Sequence, residues 1–177
     1  MIPFLDKPEN LQKYTISNEG FSNYVNNKPL EIYASLTTTS LVEKAGVNYL
    51  VKVGSIIGKQ EELYSETERK LPVDLYFPNT QNRTITISIP KGYKVLNPEV
   101  LQLSNEYLNG DLDAVIGFKS DYTIIKDKVN GDKLVITITE SYSQLHFSTY
   151  DYPRYRKVVN TAADFNNVAI LIGKKPV

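Results

Sequence analysis

Between Thr84 and Ile89 the chain alternates strictly, Thr-Ile-Thr-Ile-Ser-Ile. A period of two marks a strand with one buried face, which puts Ile85, Ile87 and Ile89 toward a core and Thr84, Thr86 and Ser88 toward water. Residues 133–140 repeat the pattern with Leu134, Ile136 and Ile138. Between these two segments, residues 114–118 and 122–128 read as strands. Val129-Asn130-Gly131-Asp132 reads as the turn of a hairpin, since Asn-Gly suits type I′ geometry. Residues 71–78 form a strand bracketed by prolines, the first of them suited to a strand start or an edge. Residues 79–82 are a turn, Pro90-Lys91-Gly92 is another, and residues 93–95 resume a strand. Residues 97–113 are irregular, and a further strand covers 144–149.

Upstream the pattern is weaker. Residues 1–29 are polar and broken by Pro3, Pro8, Gly20 and Pro29, so they read as an extended lead-in with one short strand. Residues 30–38 and 48–57 read as two strands of a hairpin turning at Lys44-Ala45-Gly46. Residues 61–70 are a charged, solvated loop. Near the C-terminus the period changes to that of a helix. Tyr155, Val158, Val159, Ala162, Ala163 and Asn166 form a stripe over 152–166, with Asp151 as cap and Pro153 in the first turn. Residues 168–172 then make a buried terminal strand. The expected fold is mainly β: an antiparallel β-sandwich, immunoglobulin-like or related, spanning residues 30–177. Its C-terminal amphipathic helix lies across an edge or open end and is followed by a terminal strand.

Composition narrows the function classes. A chain of 177 residues with 20 basic and 20 acidic side chains has no net charge. It carries no field to gather nucleic acid or an anionic membrane. No apolar run approaches the roughly 18 residues of a membrane span. The absence of Cys excludes disulfides, thiolate metal sites and cysteine nucleophiles. No signal-peptide pattern opens the chain, so the expectation is either a cytoplasmic protein or a piece of a longer exported one. Thirteen tyrosines against six phenylalanines favour strands.

Candidate chemistry is sparse. Gly54-Ser55-Ile56-Ile57-Gly58-Lys59 resembles a phosphate loop, but it has three residues between the glycines where four are needed, and Gln60 follows the lysine. A glycine at a strand bulge is the better reading. Asn109-Gly110-Asp111-Leu112-Asp113 offers oxygen ligands without the spacing of a calcium loop, so it reads as a turn. Glu61, Glu62, Glu66 and Glu68 form a solvated run rather than an acid/base pair. His146, the one histidine, has no nucleophile-elbow serine in sequence and reads as a packed or half-exposed structural residue. No cofactor or metal site is expected. The densest feature is aromatic: Tyr142, Tyr150, Tyr152 and Tyr155, with Arg154 and Arg156, form either a recognition surface or the seam that docks the helix on the sheet.

Four segments also carry a resemblance. They are Gly58-Lys59-Gln60-Glu61, Arg69-Lys70-Leu71-Pro72-Val73, Ile87-Ser88-Ile89-Pro90-Lys91-Gly92-Tyr93, and residues 155–166. In this order they resemble the C-terminal domain of unknown function of bacterial, mostly Bacteroidetes-type, transglutaminase-like proteins, over most of residues 48–175. The resemblance implies a parent with an N-terminal β-rich domain and a central papain-like catalytic module, exported to the periplasm or cell surface. The nucleophile of such a protein lies in the central module, and no residue here takes its role. The expected role is that of a non-catalytic module, which packs on, or presents substrate to, a neighbouring or intramolecular catalytic domain. The alternative is a carbohydrate- or peptide-binding module acting through exposed tyrosines.

Overall fold

Strand β1 (Leu11–Ser17) pairs antiparallel with β2 (Glu31–Leu36), and a short helix α1 (Phe21–Val25) lies between them in sequence. The computed structural model describes residues 11–65, 68–108 and 114–175. Its contacts divide the chain between Leu41 and Val42. The strand expected at 30–38 therefore belongs to the first unit, where its partner is β1 and not the segment at 48–57. The lead-in expected at 1–29 contains both β1 and α1. The pairing of β1 with β2 has a physical reason. Tyr14 stands opposite Ala34, Ile16 opposite Ile32 and Leu11 opposite Leu36, so these apolar side chains of the two strands share one face.

The second unit holds two four-stranded antiparallel sheets. The larger has the order β6 (Asn79–Ser88), β10 (Lys133–Tyr142), β9 (Ala114–Ile125), β8 (Leu103–Leu108). The other has the order β3 (Val42–Ala45), β4 (Asn48–Val51), β12 (Ile170–Lys174), β7 (Tyr93–Val95). A two-residue pair joins β5 (Val73–Asp74) to β11 (His146–Phe147). Helix α2 (Tyr152–Phe165) packs on β8 and β9. The core takes Ile116, Phe118, Leu134, Ile136 and Ile138 from the larger sheet, Val51, Ile170 and Ile172 from the other, and Val158, Ala162 and Phe165 from α2. Each such large side chain contributes roughly 1.5–3 kcal/mol when fully buried. The architecture is the expected β-sandwich with a C-terminal helix and a terminal strand.

Several local expectations are corrected. The turn at Lys44-Ala45-Gly46 is present, but it joins β3 to β4. Strand β4 stops at Val51, and Gly54–Ile57 is a 3-10 turn in which Gly54 lies against the end of α2 rather than at a bulge. Only Val73–Asp74 of residues 71–78 is strand, and only His146–Phe147 of 144–149. Residues 79–82 pair in full with β10 instead of turning. Within 97–113 lie a 3-10 turn at Pro98–Leu101 and strand β8. Inward-facing Asn105 masks the alternation of β8; its amide donates to Thr161 on α2 at 3.1 Å.

The two strands expected at 114–118 and 122–128 are one continuous strand. Its inward positions read Ile116, Phe118, Ser120, Tyr122 and Ile124, and the polar Ser120 hides the continuity. The Ser120 hydroxyl donates to Leu101 O at 2.7 Å and accepts the Leu103 N–H at 3.1 Å, so its burial costs little. The hairpin between β9 and β10 forms, but its loop is longer than a two-residue type I′ turn. Asp127 Oδ1 accepts the N–H groups of Val129 and Asn130, and Gly131 takes a φ of 95°. Buried Asp132 closes that loop by accepting from Lys126 at 3.0 Å and Lys175 at 3.2 Å. The lysines, Lys126 foremost, hold its carboxyl below the ordinary range against the opposing effect of burial. Asp151 precedes α2 but makes no side-chain cap; its carboxylate accepts from Ser148 Oγ at 2.8 Å. The helix lies on the face of the β8–β9 pair, not across an open end, and Phe118 meets Phe165 there with ring centroids 5.8 Å apart.

Candidate functional site

The tyrosines fall into two groups. Tyr142 on β10, Tyr152 and Tyr155 on α2, and Phe147 on β11 make one ring cluster. Centroid distances from Tyr155 are 6.3 Å to Tyr142, 4.8 Å to Phe147 and 6.4 Å to Tyr152. Tyr152 is 9% exposed, and Tyr142 and Tyr155 are half-buried. Burial pushes both half-buried hydroxyls up, and the charge of Glu140 pushes Tyr142 further. These three rings are the docking seam of the helix. Tyr150, by contrast, is 79% exposed. Arg154 lies 5.7 Å from its ring and 4.8 Å from that of Tyr107, and donates to Tyr107 Oη at 3.1 Å. Tyr107 was not legible as a partner, because its strand was hidden in an irregular stretch.

Arg156 lies elsewhere, in a cleft that α2 forms with the loop residues 58–65 and 68–72. Two asparagines, one within α2 and one just past its end, pin that loop. Asn166 Oδ1 accepts the Gln60 N–H at 2.7 Å, and Asn160 Oδ1 accepts the Leu63 N–H at 2.8 Å. Tyr64 Oη donates to Asp164 at 3.0 Å. Farther along, Arg69 donates to Leu71 O at 2.8 Å and to Pro72 O at 3.3 Å. The guanidinium carbons of Arg69 and Arg156 stand 5.1 Å and 5.9 Å from the centroid of one ring, Tyr152. Beside them lie two hollows. One of about 520 Å³ is lined by Tyr64, Ser65, Arg156 and Asn160. The other, of about 330 Å³, shares Ser65 and Arg156 with the first and reaches Arg69, Thr149 and Tyr152. Three of the four segments that carry the sequence resemblance therefore meet at this cleft.

The other candidates do not assemble chemistry. Glu61, Glu62 and Glu68 are exposed on the loop, while Glu66 lies outside the described residues, as does 109–113. His146 is exposed rather than packed, and its Nδ1 lies 2.6 Å from Asp74 Oδ1 across the short β5–β11 pair. The Gly54–Lys59 stretch precedes a loop, not a helix. Among the described residues no group of three or more His, Asp or Glu side chains converges as a metal site. Buried Glu140 is paired with Arg83 at 2.9 Å and accepts from Tyr142 Oη at 3.0 Å, on the inner face of the larger sheet. No helix among the described residues is long and apolar enough to cross a membrane.

Two apolar surfaces remain open. In the first unit, the shared face of β1 and β2 presents Leu11, Tyr14, Ile16, Ile32, Ala34 and Leu36, with Tyr14 64% and Ile32 52% exposed. In the second, an apolar groove of about 270 Å³ runs beside Tyr49 and Tyr93, whose rings are 6.0 Å apart, with Ile87, Pro90 and Ile172 in its walls.

Residues 49–172 match a family described as a domain of unknown function with a solved structure, DUF3858. No curated protein and no solved structure matches the chain.

Proposed function

We propose that this chain, which belongs to the DUF3858 family, is a non-catalytic accessory module of a larger exported, transglutaminase-like protein. In this reading it packs on a catalytic module in the periplasm or at the cell surface. The link to transglutaminase-like proteins is supported by the resemblance of the four segments at 58–61, 69–73, 87–93 and 155–166.

The observation that carries the packing role is the open face of the β1–β2 sheet. A two-stranded sheet is marginal in water unless its apolar face is covered. Here that face is apolar at all six positions, Leu11, Tyr14, Ile16, Ile32, Ala34 and Leu36. Helix α1, with no buried residue, keeps Phe21 and Tyr24 largely exposed as well. A patch of this kind marks a protein contact. The non-catalytic part of the reading draws on the two most buried carboxylates among the described residues. Glu140 and Asp132 are both taken up in structural pairs with Arg83, Lys126 and Lys175.

An aromatic platform for a glycan or peptide has less in its favour. Tyr152 and Tyr155 spend their rings on the helix seam, which leaves Tyr150, outside that cluster, as the open ring of the stretch 142–155.

Antibody raised against this chain tests the proposal on fractionated source cells blotted under denaturing conditions. A band well above 20.1 kDa in the envelope fraction is expected. A band at 20.1 kDa in the cytoplasm overturns the proposal.

A further inference from the structure

We propose that the cleft that α2 forms with residues 58–65 and 68–72 binds a carboxylate-bearing peptide segment, with Arg156 as the principal contact to the carboxylate. This inference does not depend on the accessory-module reading.

The first argument is charge. Among the described residues, no carboxylate lies within ion-pair distance of Arg156, although Arg83 and Arg154 each have one. Arg156 is half-buried, and the ring of Tyr152 is its aromatic neighbour. Arg69 shares that ring, and its own donors go to two backbone carbonyls rather than to an acid. Two guanidinium groups thus stand around one ring, and no counter-ion among the described residues reaches either. A half-buried cation favours an anion beside it, because water no longer solvates it fully. The guanidinium fork matches the two oxygens of a carboxylate.

Shape then chooses the ligand. The hollows of about 520 Å³ and 330 Å³ join at Ser65 and Arg156, so together they form a trough rather than a point site. That size is typical of sites for organic ligands and exceeds what a bare phosphate fills. Glu68 lines the smaller hollow and pairs with neither arginine. Thr149 and Asn160 bring neutral polar groups to the walls, suited to peptide backbone. The Asn160 amide nitrogen reaches Leu63 O only at 3.5 Å, a long bond that a ligand carbonyl can replace. The site is also held ready, because Asn160 and Asn166 fasten the loop to the helix before any ligand arrives.

Titration of the 15N-labelled full chain tests the proposal with three probes: an acetylated, amidated Ala-Glu-Ala tripeptide, its Ala-Gln-Ala counterpart, and inorganic phosphate. The glutamate peptide is expected to shift the amide signals of Thr149, Arg156 and Asn160 saturably at millimolar concentration, with the glutamine peptide at least about tenfold weaker. Arg156→Gln is expected to weaken the glutamate peptide by about tenfold, from the loss of a charge-assisted pair. Glu68→Gln, an exposed change that leaves the fold intact, is expected to tighten it several-fold. The proposal is overturned by equal binding of the glutamine peptide, by phosphate binding as tightly as the glutamate peptide, by the absence of a saturable shift at the cleft, or by the absence of an effect from either variant.

Discussion

Asn166 and Gln60 are joined by a hydrogen bond of 2.7 Å from the Gln60 backbone N–H to the Asn166 side-chain oxygen. The nitrogen of the same amide donates to Gly54 O at 3.0 Å and Gly58 O at 2.7 Å. One side chain just beyond α2 thus satisfies three backbone groups of a segment that has no strand to pair with. Buried peptide groups need such partners, and here the partner is a side chain. Asn166→Ala removes all three bonds at once. A destabilisation of about 2–3 kcal/mol is expected, since partly buried donors and acceptors are left unmatched. Urea denaturation measures it, and hydrogen exchange should show faster exchange at Gln60 than in the parent. An unchanged midpoint would rule out the pinning role.

Gly54 is fixed by the same neighbourhood. A Cβ placed on it would stand 2.0 Å from Phe165 O and 2.6 Å from the carbonyl carbon and oxygen of Asn166. Those atoms are backbone, so no side chain can swing away to make room. Gly54→Ala is expected to cost about 3 kcal/mol through overpacking. Gly92 offers the contrast. Its φ is 85°, and open space surrounds its missing Cβ, so Gly92→Ala meets only backbone strain of about 1 kcal/mol. Thermal melting of the two variants side by side gives the comparison; equal losses would mean that close approach is not what selects glycine at position 54.

The strand segments that could be read from sequence are those in which three successive inward positions are apolar. Ile85, Ile87 and Ile89, and Leu134, Ile136 and Ile138, were plain because nothing polar interrupts them. Polar residues on the inward face hid the rest: Asn105 in β8, Ser120 in β9, and Asn79, Gln81 and Arg83 along β6. Each breaks the alternation. Asn105, Ser120 and Arg83 bond to groups far away in sequence, on Thr161, Leu101 and Glu140, and Gln81 accepts from Arg83 beside it. Periodicity reads burial and is blind to such pairs. The candidate cleft was hidden for a related reason. Arg156 was legible within an aromatic and basic run, but Arg69, Tyr64 and Asn160 join it only because residues 60–64 and Arg69 lie against the helix.

Arg83 and Glu140 test how the polar end of the larger sheet is held. The pair is 2.9 Å long with both side chains largely buried, and Glu140 also accepts from Tyr142. Removing one partner leaves an uncompensated charge inside the sandwich. Arg83→Ala is therefore expected to destabilise by about 3 kcal/mol. The double variant Arg83→Leu with Glu140→Leu removes both charges and should recover most of that loss. A double-mutant cycle by urea denaturation decides the point. If the double variant is no more stable than Arg83→Ala, burial of an unpaired charge is not the source of the cost.

Tyr142 gives the fold a pH limit on the alkaline side. In the unfolded chain its hydroxyl ionises at the ordinary tyrosine value of 10.0, while in the fold burial, and then the nearby negative charge of Glu140, push it well above that. Between those two values the folded state keeps a proton that the unfolded state has released. Stability from this group is therefore complete below about pH 10 and falls as pH rises beyond it. Tyr155, raised chiefly by burial, adds to the same slope. The measurement is the urea midpoint at successive pH values from about 8 to 11.5, for the parent and for Tyr142→Phe. The variant loses one hydrogen bond to Glu140, so it starts lower by about 1 kcal/mol at neutral pH. Its decline above about pH 10 should then be shallower, because it has one fewer proton to lose. The difference in slope therefore reports Tyr142 together with its coupling to Tyr155. Parallel declines would place the Tyr142 hydroxyl in a solvated setting and remove the basis for the alkaline limit.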